Sequence, residues 1–318
     1  MNEFSLIKQY FQSLPIKHKE VQFGIGDDAA CLRLPAGMDL LVSTDTLVSG
    51  VHFLPDWDAY SIAYRALMVN ISDIAAMGAQ AFSITLALTL SQIDETWLSA
   101  FAQGLGDALD QYSIDLIGGD TTHGPLALTI TIMGMAPEGT SIRRSGAKEG
   151  DIIFVSGELG AAALALKFLD KADLPSAEKA ELMQKLLRPK PRVDLIDHMR
   201  KYASSAIDIS DGLSADLNHI CSASELGACI TKDALPVHPL VQKYLGEQAV
   251  DLALSGGDDY ELCFTVPVLK LDAFMQELQR DGLLCYAVGQ IEKQPGMRIK
   301  LADGSCEELV AKGYQHFT

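Results

Sequence analysis

The sequence lacks the features that would place it in or across a membrane. Its 318 residues contain no run of about 18 apolar residues, which is the length that a membrane-spanning helix needs. Its N-terminal residues show no basic start followed by an unbroken apolar stretch, as a secretory signal does. The sequence therefore predicts a cytoplasmic protein with no membrane partner.

Cysteine pairs and positive charge are also scarce. The six cysteines form no Cys-x-x-Cys pair, which argues against a zinc site or a disulfide framework and favours reduced, mostly buried thiols. The 25 basic residues are outnumbered by 42 acidic ones, so the net charge is −17. A field of this sign repels nucleic acid, and we expect no nucleic-acid partner.

The familiar nucleotide-binding motifs are missing too. The sequence has no GxxxxGK[ST] loop, no GxGxxG that opens a helix and no HRD catalytic loop, so any ATP must be bound by another architecture. The chain is rich in apolar residues, since 48% of its residues are hydrophobic. A chain of this length and composition can build the cores of about two domains.

Hydrophobic periodicity predicts helices that alternate with strands. Helical spacing marks Phe4 to Leu14 and the segment 59–77, and every second residue is apolar over 82–90 and 126–132, the period of a half-buried strand. Further strands are predicted at 40–44, 114–117, 151–157, 205–209 and 260–266, and a helix and two strands at the end of the chain. The turn-rich segment Pro137–Gly150 is the candidate boundary between two domains of the α/β class.

Aspartates recur in glycine turns and at predicted strand ends. They are Asp27, Asp28, Asp45, Asp73, Asp120, Asp208, Asp211, Asp258 and Asp259. Strand ends of an open α/β sheet meet at one edge, so we expect these acids to converge on one pocket. Their mutual repulsion would then raise pKa values or require bound cations.

Oxygen ligands without a neighbouring Cys or His cluster suit Mg²⁺, and Mg²⁺ points to phosphates. Each Gly-Asp pair alone is more often an ordinary turn than a site. Five such groups in one chain favour a functional site.

Seven distinctive segments occur along the chain in the order GIGDDAA, STDTLVSGVHF, NISDIAAMGA, LIGGDTTHGP, RRSGAKEGD, IDISDGLSADL and LSGGDDYELCFTV. In this order and at these spacings, they resemble the segments of the thiamine-monophosphate kinase family. The resemblance runs from Phe4 to the final GYQHF. That family belongs to a wider group with aminoimidazole ribonucleotide synthetase and selenophosphate synthetase. A selenophosphate synthetase would need a reactive Cys or selenocysteine and a partner Lys, whereas this chain has Lys17 and Lys19 far from Cys31.

The resemblance implies a two-domain α/β (α+β) fold like that of aminoimidazole ribonucleotide synthetase. Residues 1–138 would form a domain with a mixed or antiparallel sheet that binds ATP and Mg²⁺ and joins two copies as a homodimer. Residues 148–318 would form an α/β domain that closes the active-site cleft.

The implied reaction is direct in-line transfer of the γ-phosphoryl group of ATP onto thiamine monophosphate, which gives thiamine diphosphate and ADP. A phosphate monoester has its second pKa near 6, so no general base is needed at pH 7. The remaining obstacle is repulsion between two anions, which several Mg²⁺ ions held by aspartates would relieve.

The resemblance also assigns roles to individual residues. The metal ligands that it implies are Asp28, Ser43, Thr44, Asp45, Asp73, Asp120, Asp208 and Asp211, of which Asp28, Asp73, Asp120 and Asp211 would be catalytic. The residues that it implies for ATP are Gly119, Asp120, Arg144 and Ser210. Those that it implies for the thiamine substrate are His52, Asp258 and Tyr314.

The sequence alone also allows ordinary structural roles for several of these residues. Ser43 and Thr44 could cap a strand, Arg144 could be a solvated loop charge, and Tyr314 could pack the tail. Relatives often carry Glu at the position of Asp258 and an aromatic residue at that of Ala311. Two other functions also remain, a metal-assisted phosphohydrolase and a non-enzymatic module that binds nucleotide or divalent ions.

Overall fold

The computed structural model describes residues 3–169 and 174–314. The chain forms two compact units. Unit 1 comprises Met1–Ile74 and Ala79–Ser141, and unit 2 comprises Ala75–Gly78 and Ile142–Thr318. Positions 170–173 and 315–318 of the predicted second domain, and with them the end of the GYQHF segment, lie outside the described residues.

Unit 1 is built on a four-stranded sheet. Its elements are α1 (Glu3–Tyr10), β1 (Val21–Phe23), β2 (Cys31–Leu32), β3 (Met38–Val48), α2 (Ala59–Ala76, its last two residues in unit 2), β4 (Gln80–Leu90), α3 (Glu95–Tyr112), β5 (Asp115–His123) and β6 (Ala127–Pro137). The sheet order is β3-β6-β4-β5, with β4 and β5 parallel and the other neighbours antiparallel. This is the mixed sheet that the resemblance implied.

Local sequence explains the two long helices of unit 1. Helix α2 has neither Pro nor Gly and is apolar along most of its length, so it is buried throughout residues 61–70. Helix α3 begins at its N-cap Asp94, whose carboxylate accepts hydrogen bonds from the N–H groups of Thr96 and Trp97 at 2.9 and 3.1 Å. Gly104 lets α3 approach α2 closely, because a Cβ there would lie 2.3 Å from the carbonyl oxygen of Tyr60.

Two strands of unit 1 are longer than the sequence indicates. The segments predicted at 40–44 and 114–117 continue to Val48 in β3 and His123 in β5. Asp45 and Asp120 therefore lie inside strands, and the expectation that they follow strand ends is wrong. The polar residues at the end of β3 remain part of the strand, because the hydroxyls of Thr44 and Thr46 hydrogen-bond to those of Thr131 and Thr129 on the neighbouring strand β6. The Oγ1–Oγ1 distances are 2.9 and 2.8 Å.

Unit 2 contains a seven-stranded sheet. Its elements are β7 (Ile152–Val155), α4 (Ala161–Lys167), α5 (Ser176–Leu187), α6 (Ile196–Tyr202), β8 (Ser205–Asp208), α7 (Leu213–Ser224), β9 (Gly227–Thr231), α8 (Pro239–Leu245), α9 (Ala249–Ser255), β10 (Leu262–Val266), α10 (Val268–Arg280), β11 (Tyr286–Glu292), β12 (Gly296–Lys300) and β13 (Cys306–Leu309). The order is β13-β12-β9-β11-β7-β10-β8, and only the pair of β12 and β9 is parallel among these strands.

Both faces of the unit 2 sheet are covered. Alternate residues of β7 point into different cores, with Ile153 and Val155 in one and Phe154 in the other. Phe154 packs on Phe264 and Phe274, at ring-centroid distances of 5.6 and 5.2 Å. Near-continuous apolar strands such as β10, buried along its whole length, are the sequence pattern of a sheet covered in this way.

The predictions for unit 2 are right in outline and incomplete in detail. The strands predicted at 151–157, 205–209 and about 260–266 are present as β7, β8 and β10, but β9 is not predicted, and three strands instead of two follow α10 in the described part of the chain. Strand β10 begins at Leu262, two residues after the approximate start predicted for it, and Tyr260 just before it has φ of 50°. A short strand such as β9, opened by Gly227, gives too weak a periodic signal to be recognised.

The structure shows the state of the cysteines and the lengths of the described helices. All six cysteines are free thiols; Cys221, Cys263 and Cys285 are buried, Cys306 is exposed and the other two are half-buried. Among the described residues, no helix is both long enough and apolar enough to cross a bilayer.

Candidate functional site

In unit 1, strand β3 and helix α2 bring three of the predicted ligands together. Ser43 and Asp45 are two residues apart on β3 and so share one face of the sheet. The hydroxyl of Ser43 donates a hydrogen bond of 2.6 Å to Oδ2 of Asp73 on α2. Burial, and then the charge of Asp73, raise the pKa of Asp45 to about 6. These oxygens form a compact anionic group on one side of the sheet.

The other unit 1 candidates are arranged differently. Thr44 lies on the opposite face of β3, where its hydroxyl is bonded to Thr131. Asp28 is exposed in the turn before β2, and Asp120 is exposed on β5 opposite Ala87 of β4. Across the ranges that the structure describes, no group of three or more His, Cys, Asp or Glu side chains could hold a metal ion.

Two further positions in unit 1 have a defined local geometry. Gly119 has φ of 151°, and a Cβ there would lie 1.8 Å from the carbonyl oxygen of Leu86, so only glycine allows β5 to approach β4 at this point. His52 lies in the turn that follows β3, where its Nδ1 accepts a 3.0 Å hydrogen bond from the N–H of Val48. That bond fixes the orientation of the imidazole ring.

In unit 2, the Ser-Asp-Gly loop that follows β8 is folded around one carboxylate. Oδ2 of Asp216, in the first turn of α7, accepts hydrogen bonds of 3.1 Å from the N–H groups of Ser210, Asp211 and Gly212. Loss of solvation outweighs these bonds and raises the pKa of Asp216 to about 7. The loop that carries two of the predicted site residues is thereby held in a single shape.

The SGGDDY loop lies directly beside the Ser-Asp-Gly loop. The N–H groups of Asp258 and Tyr260 donate to the carbonyl oxygens of Ser210 and Ile209, both at 2.8 Å. Asp258 and Tyr260 have φ of 71° and 50°, in the left-handed region that non-glycine residues seldom occupy. Strained backbone of this kind is typical of functional loops. The phenolic O–H of Tyr260 also donates to Oδ1 of Asp258 at 3.2 Å.

Glycine makes this close approach of the two loops possible. A Cβ on Gly257 would lie 2.5 Å from the carbonyl oxygen of Ser210, and one on Gly212 would lie 2.8 Å from the carbonyl carbon of Ser255. Neither distance is compatible with a side chain. The glycines of both motifs are therefore required by packing between the loops.

The C-terminal segment meets the same loop. Ser214 bonds to the backbone of Lys312, and the N–H of Tyr314 donates to the carbonyl oxygen of Asp211 at 3.3 Å. At the other end of α7, the hydroxyl of Ser224 accepts from the N–H of Gly146 at 3.3 Å and donates to the carbonyl oxygen of Arg144 at 3.5 Å. Helix α7 thus anchors the segments that carry Ser210, Asp211, Tyr314 and Arg144.

Asp259 stabilises the SGGDDY loop from its other side. Both of its carboxylate oxygens accept the N–H of Gly160 at 2.9 Å. Loss of solvation, and to a lesser extent the charges of Glu261 and Asp258, raise its pKa well above the usual range. Asp208, also in the predicted ligand set, is buried at the end of β8, where it pairs in register with Leu262.

Sequence reasoning assigned no role to Ser214, Asp216 or Ser224. Ser214 and Asp216 lie inside the IDISDGLSADL segment that carried part of the resemblance, and Ser224 lies at the end of the same helix. An acidic residue in the first turn of a helix, just after a glycine-containing loop, is the signal that could have identified Asp216.

Comparison with known proteins assigns the family. The N-terminal and C-terminal domain models of AIR synthase related proteins match residues 26–136 and 148–302. A thiamine-monophosphate kinase of Escherichia coli (strain K12) is 46% identical over 99% of this chain and 98% of its own length. The crystal structure of the thiamine-monophosphate kinase of Stenotrophomonas maltophilia K279a superposes with a TM-score of 0.86, at 42% identity, over 96% of this chain and 98% of that one.

A further solved relative, AaThiL complexed with AMPPCP and TMP, has a TM-score of 0.79 and 30% identity, and covers 90% of this chain and 89% of its own. These matches extend across both units. The chain therefore belongs to the thiamine-monophosphate kinases, within the family of AIR synthase related proteins.

Proposed function

We propose that this protein transfers the γ-phosphoryl group of ATP directly to thiamine monophosphate and releases thiamine diphosphate and ADP. The observation that carries the proposal is 46% identity to a thiamine-monophosphate kinase over 99% of the chain. A relative solved with AMPPCP and TMP supports it, because AMPPCP is an analogue of ATP.

The chemistry demands little proton transfer from the protein. The acceptor is a phosphate monoester whose second pKa lies near 6, so its attacking oxygen is already mostly ionised at pH 7. No residue has to act as a general base, and the required tasks are to align the two phosphates and to offset their repulsion. This agrees with a chain that contains no HRD catalytic loop.

Acidic residues of unit 1 are proposed to hold Mg²⁺ ions. The Ser43 hydroxyl and the carboxylates of Asp45 and Asp73 are all oxygen ligands. Burial, and then the charge of Asp73, raise the pKa of Asp45 to about 6. A donor set of this kind fits a hard divalent cation. Asp28, Asp120 and the backbone oxygen of Thr44, whose hydroxyl is bonded to Thr131, are the further ligands proposed in unit 1. Asp208 and Asp211 are the ligands proposed in unit 2. Bound Mg²⁺ supplies positive charge that offsets the charge of the transferring phosphoryl group.

Further residues are proposed to contact the two substrates. Gly119 and Asp120 on β5, and Arg144 and Ser210 on segments anchored by α7, are the proposed ATP contacts. The proposed thiamine monophosphate contacts are His52, Asp258 and Tyr314. The fixed imidazole of His52 and the bond between Tyr260 and Asp258 support these roles, because a side chain held in one orientation binds without further loss of freedom.

We further propose that two copies of unit 1 associate as a homodimer through the outer face of its sheet. Leu40 and Val42 are 42% and 57% exposed on β3, in line with the Thr44 and Thr46 side chains on that face. Sedimentation of the wild type should give about twice the chain mass of 34.3 kDa, and Val42→Lys should give the single-chain mass. A wild type that sediments as a monomer would refute the dimer.

Product analysis tests the reaction itself. ATP, Mg²⁺ and thiamine monophosphate are mixed with the protein, each component is omitted in turn, and ADP, thiamine diphosphate and inorganic phosphate are quantified. We expect equal amounts of ADP and thiamine diphosphate in the complete mixture, and neither product in any mixture that lacks one component. Phosphate released from the thiamine ester without ATP would indicate a phosphohydrolase. Bound nucleotide with no ADP formed would indicate a binding module.

A further inference from the structure

The last described residues of the chain lie against the first turn of α7. Residues 310–314 belong to no helix or strand, so regular backbone pairing does not fix their position. Ser214, which is only 1% exposed, makes two hydrogen bonds to one residue of this segment. Its hydroxyl donates to the carbonyl oxygen of Lys312 at 2.8 Å and accepts from the N–H of Lys312 at 3.1 Å. Together the two bonds fix both the place and the direction of the chain at Lys312.

The next two residues are fixed as well. Gly313 packs so tightly that a Cβ there would lie 2.6 Å from Cβ of Ala215 and 2.7 Å from the carbonyl oxygen of Asp211. The N–H of Tyr314 donates to that same carbonyl oxygen at 3.3 Å. Lys312, Gly313 and Tyr314 are therefore held against the first turn of α7 and the loop that carries Asp211. Tyr314 is still 51% exposed in this position.

We propose that Ser214 is a positioning residue that sets where Tyr314 meets the thiamine ring of the substrate. This inference rests on the function proposed above. A partly exposed aromatic side chain can stack on a heteroaromatic ring, and a segment that is already docked loses less freedom when the substrate binds. Ser214 is only 1% exposed and acts in this proposal through Tyr314, so its loss should weaken the binding of thiamine monophosphate and leave ATP binding and phosphoryl transfer unchanged.

Steady-state kinetics of Ser214→Ala tests the proposal. Removal of one side chain that makes two hydrogen bonds is expected to raise KM for thiamine monophosphate about tenfold, equivalent to about 1.4 kcal/mol. The values of kcat and of KM for ATP should stay within about twofold of the wild type. Ser222→Ala is the matched control, since Ser222 is an exposed serine on the same helix. Ser214→Thr, which keeps the hydroxyl, should restore most of the binding.

Gly313→Ala disturbs the same contact from the side of the C-terminal segment. Its added Cβ must push the segment away from Ala215, so it should raise the same KM. The double variant Ser214→Ala/Gly313→Ala should show less than the sum of the two effects, because both act on one contact. Hydrogen exchange at the Lys312 amide should be faster in each variant, whatever reaction the protein catalyses.

The outcomes separate this inference from the function on which it rests. A wild type that makes no thiamine diphosphate overturns the proposed function and, with it, the role given to Tyr314. An active wild type whose KM for thiamine monophosphate is unaltered by Ser214→Ala overturns the positioning role alone. A fall in kcat together with a rise in both KM values and a lowered melting temperature would show a general structural role and would also overturn it.

Discussion

The two units hold their candidate site residues in contrasting ways. In unit 1, Ser43, Asp45 and Asp73 project from a strand and a helix, and their arrangement follows from regular secondary structure. In unit 2, Ser210, Asp211 and Asp258 lie in loops whose shape depends on bonds to α7 and on glycines that permit close contact. Activity should therefore depend mainly on charge at the unit 1 residues and mainly on backbone geometry at the unit 2 residues.

Loss of one unit 1 carboxylate should give the largest effect on activity. Asp73→Asn keeps the size of the side chain and removes the charge next to Asp45. We expect kcat to fall by about 10²- to 10³-fold, as when one group that stabilises transition-state charge is lost, with no loss of thermal stability. Asp56→Asn, at an exposed aspartate of unit 1, is the control. Turnover near that of the wild type would contradict the role given to Asp73.

A single methyl group in a unit 2 loop should have the next largest effect. Gly257→Ala places a Cβ 2.5 Å from the carbonyl oxygen of Ser210, so the two loops must separate. We expect kcat/KM to fall by about 10- to 100-fold because site residues are displaced. Gly106→Ala in α3, where a Cβ would meet only an ordinary contact at 3.6 Å, should be nearly silent. If both variants behave alike, close packing between the loops is unimportant.

Removal of the acceptor at the centre of the Ser-Asp-Gly loop should have an intermediate effect. Asp216→Ala leaves three N–H groups without their acceptor, and we expect about 2 to 4 kcal/mol less free energy of unfolding. Asp216→Asn retains an acceptor oxygen and should lose much less. Chemical denaturation measures both values. Equal stability of Asp216→Ala and the wild type would show that the loop does not need this residue.

The smallest expected effect is a change in the pH dependence of stability. Burial holds the pKa of Asp259 well above its usual value of 3.8 in the folded protein, so the folded state binds more protons than the unfolded state once the pH exceeds that usual value. Stability contributed by this group is present at low pH and is lost as the pH rises toward the folded-state pKa. Asp259→Asn should therefore become more stable relative to the wild type as the pH is raised from 4 to 8.

Thermal unfolding across this pH range measures that effect. Asp272→Asn, at an exposed aspartate of α10, controls for the general loss of one negative charge. A difference between Asp259→Asn and the wild type that stays constant with pH would refute the assignment.

Regular elements and motif positions could be predicted from the sequence, whereas the supports of the loops could not. Helix α2 is recognisable because its apolar residues run without Pro or Gly, and β4 because its apolar residues alternate. The sequence does not predict that Asp45 and Asp120 lie inside strands, because a polar stretch resembles the end of a strand. The contacts of Ser214 and Asp216 join residues to backbone that periodicity does not describe, and 98 positions separate Ser214 from Lys312.

Direct transfer between the two substrates can be followed with labelled phosphate in a single turnover. Excess protein is mixed with ATP labelled at its γ-phosphate, Mg²⁺ and thiamine monophosphate, and the label is followed in protein, phosphate and thiamine products. We expect all of the transferred label to appear in the terminal phosphate of thiamine diphosphate, at the rate at which ADP forms. Label that appears first on the protein, or that ends in inorganic phosphate, would contradict direct transfer between the two substrates.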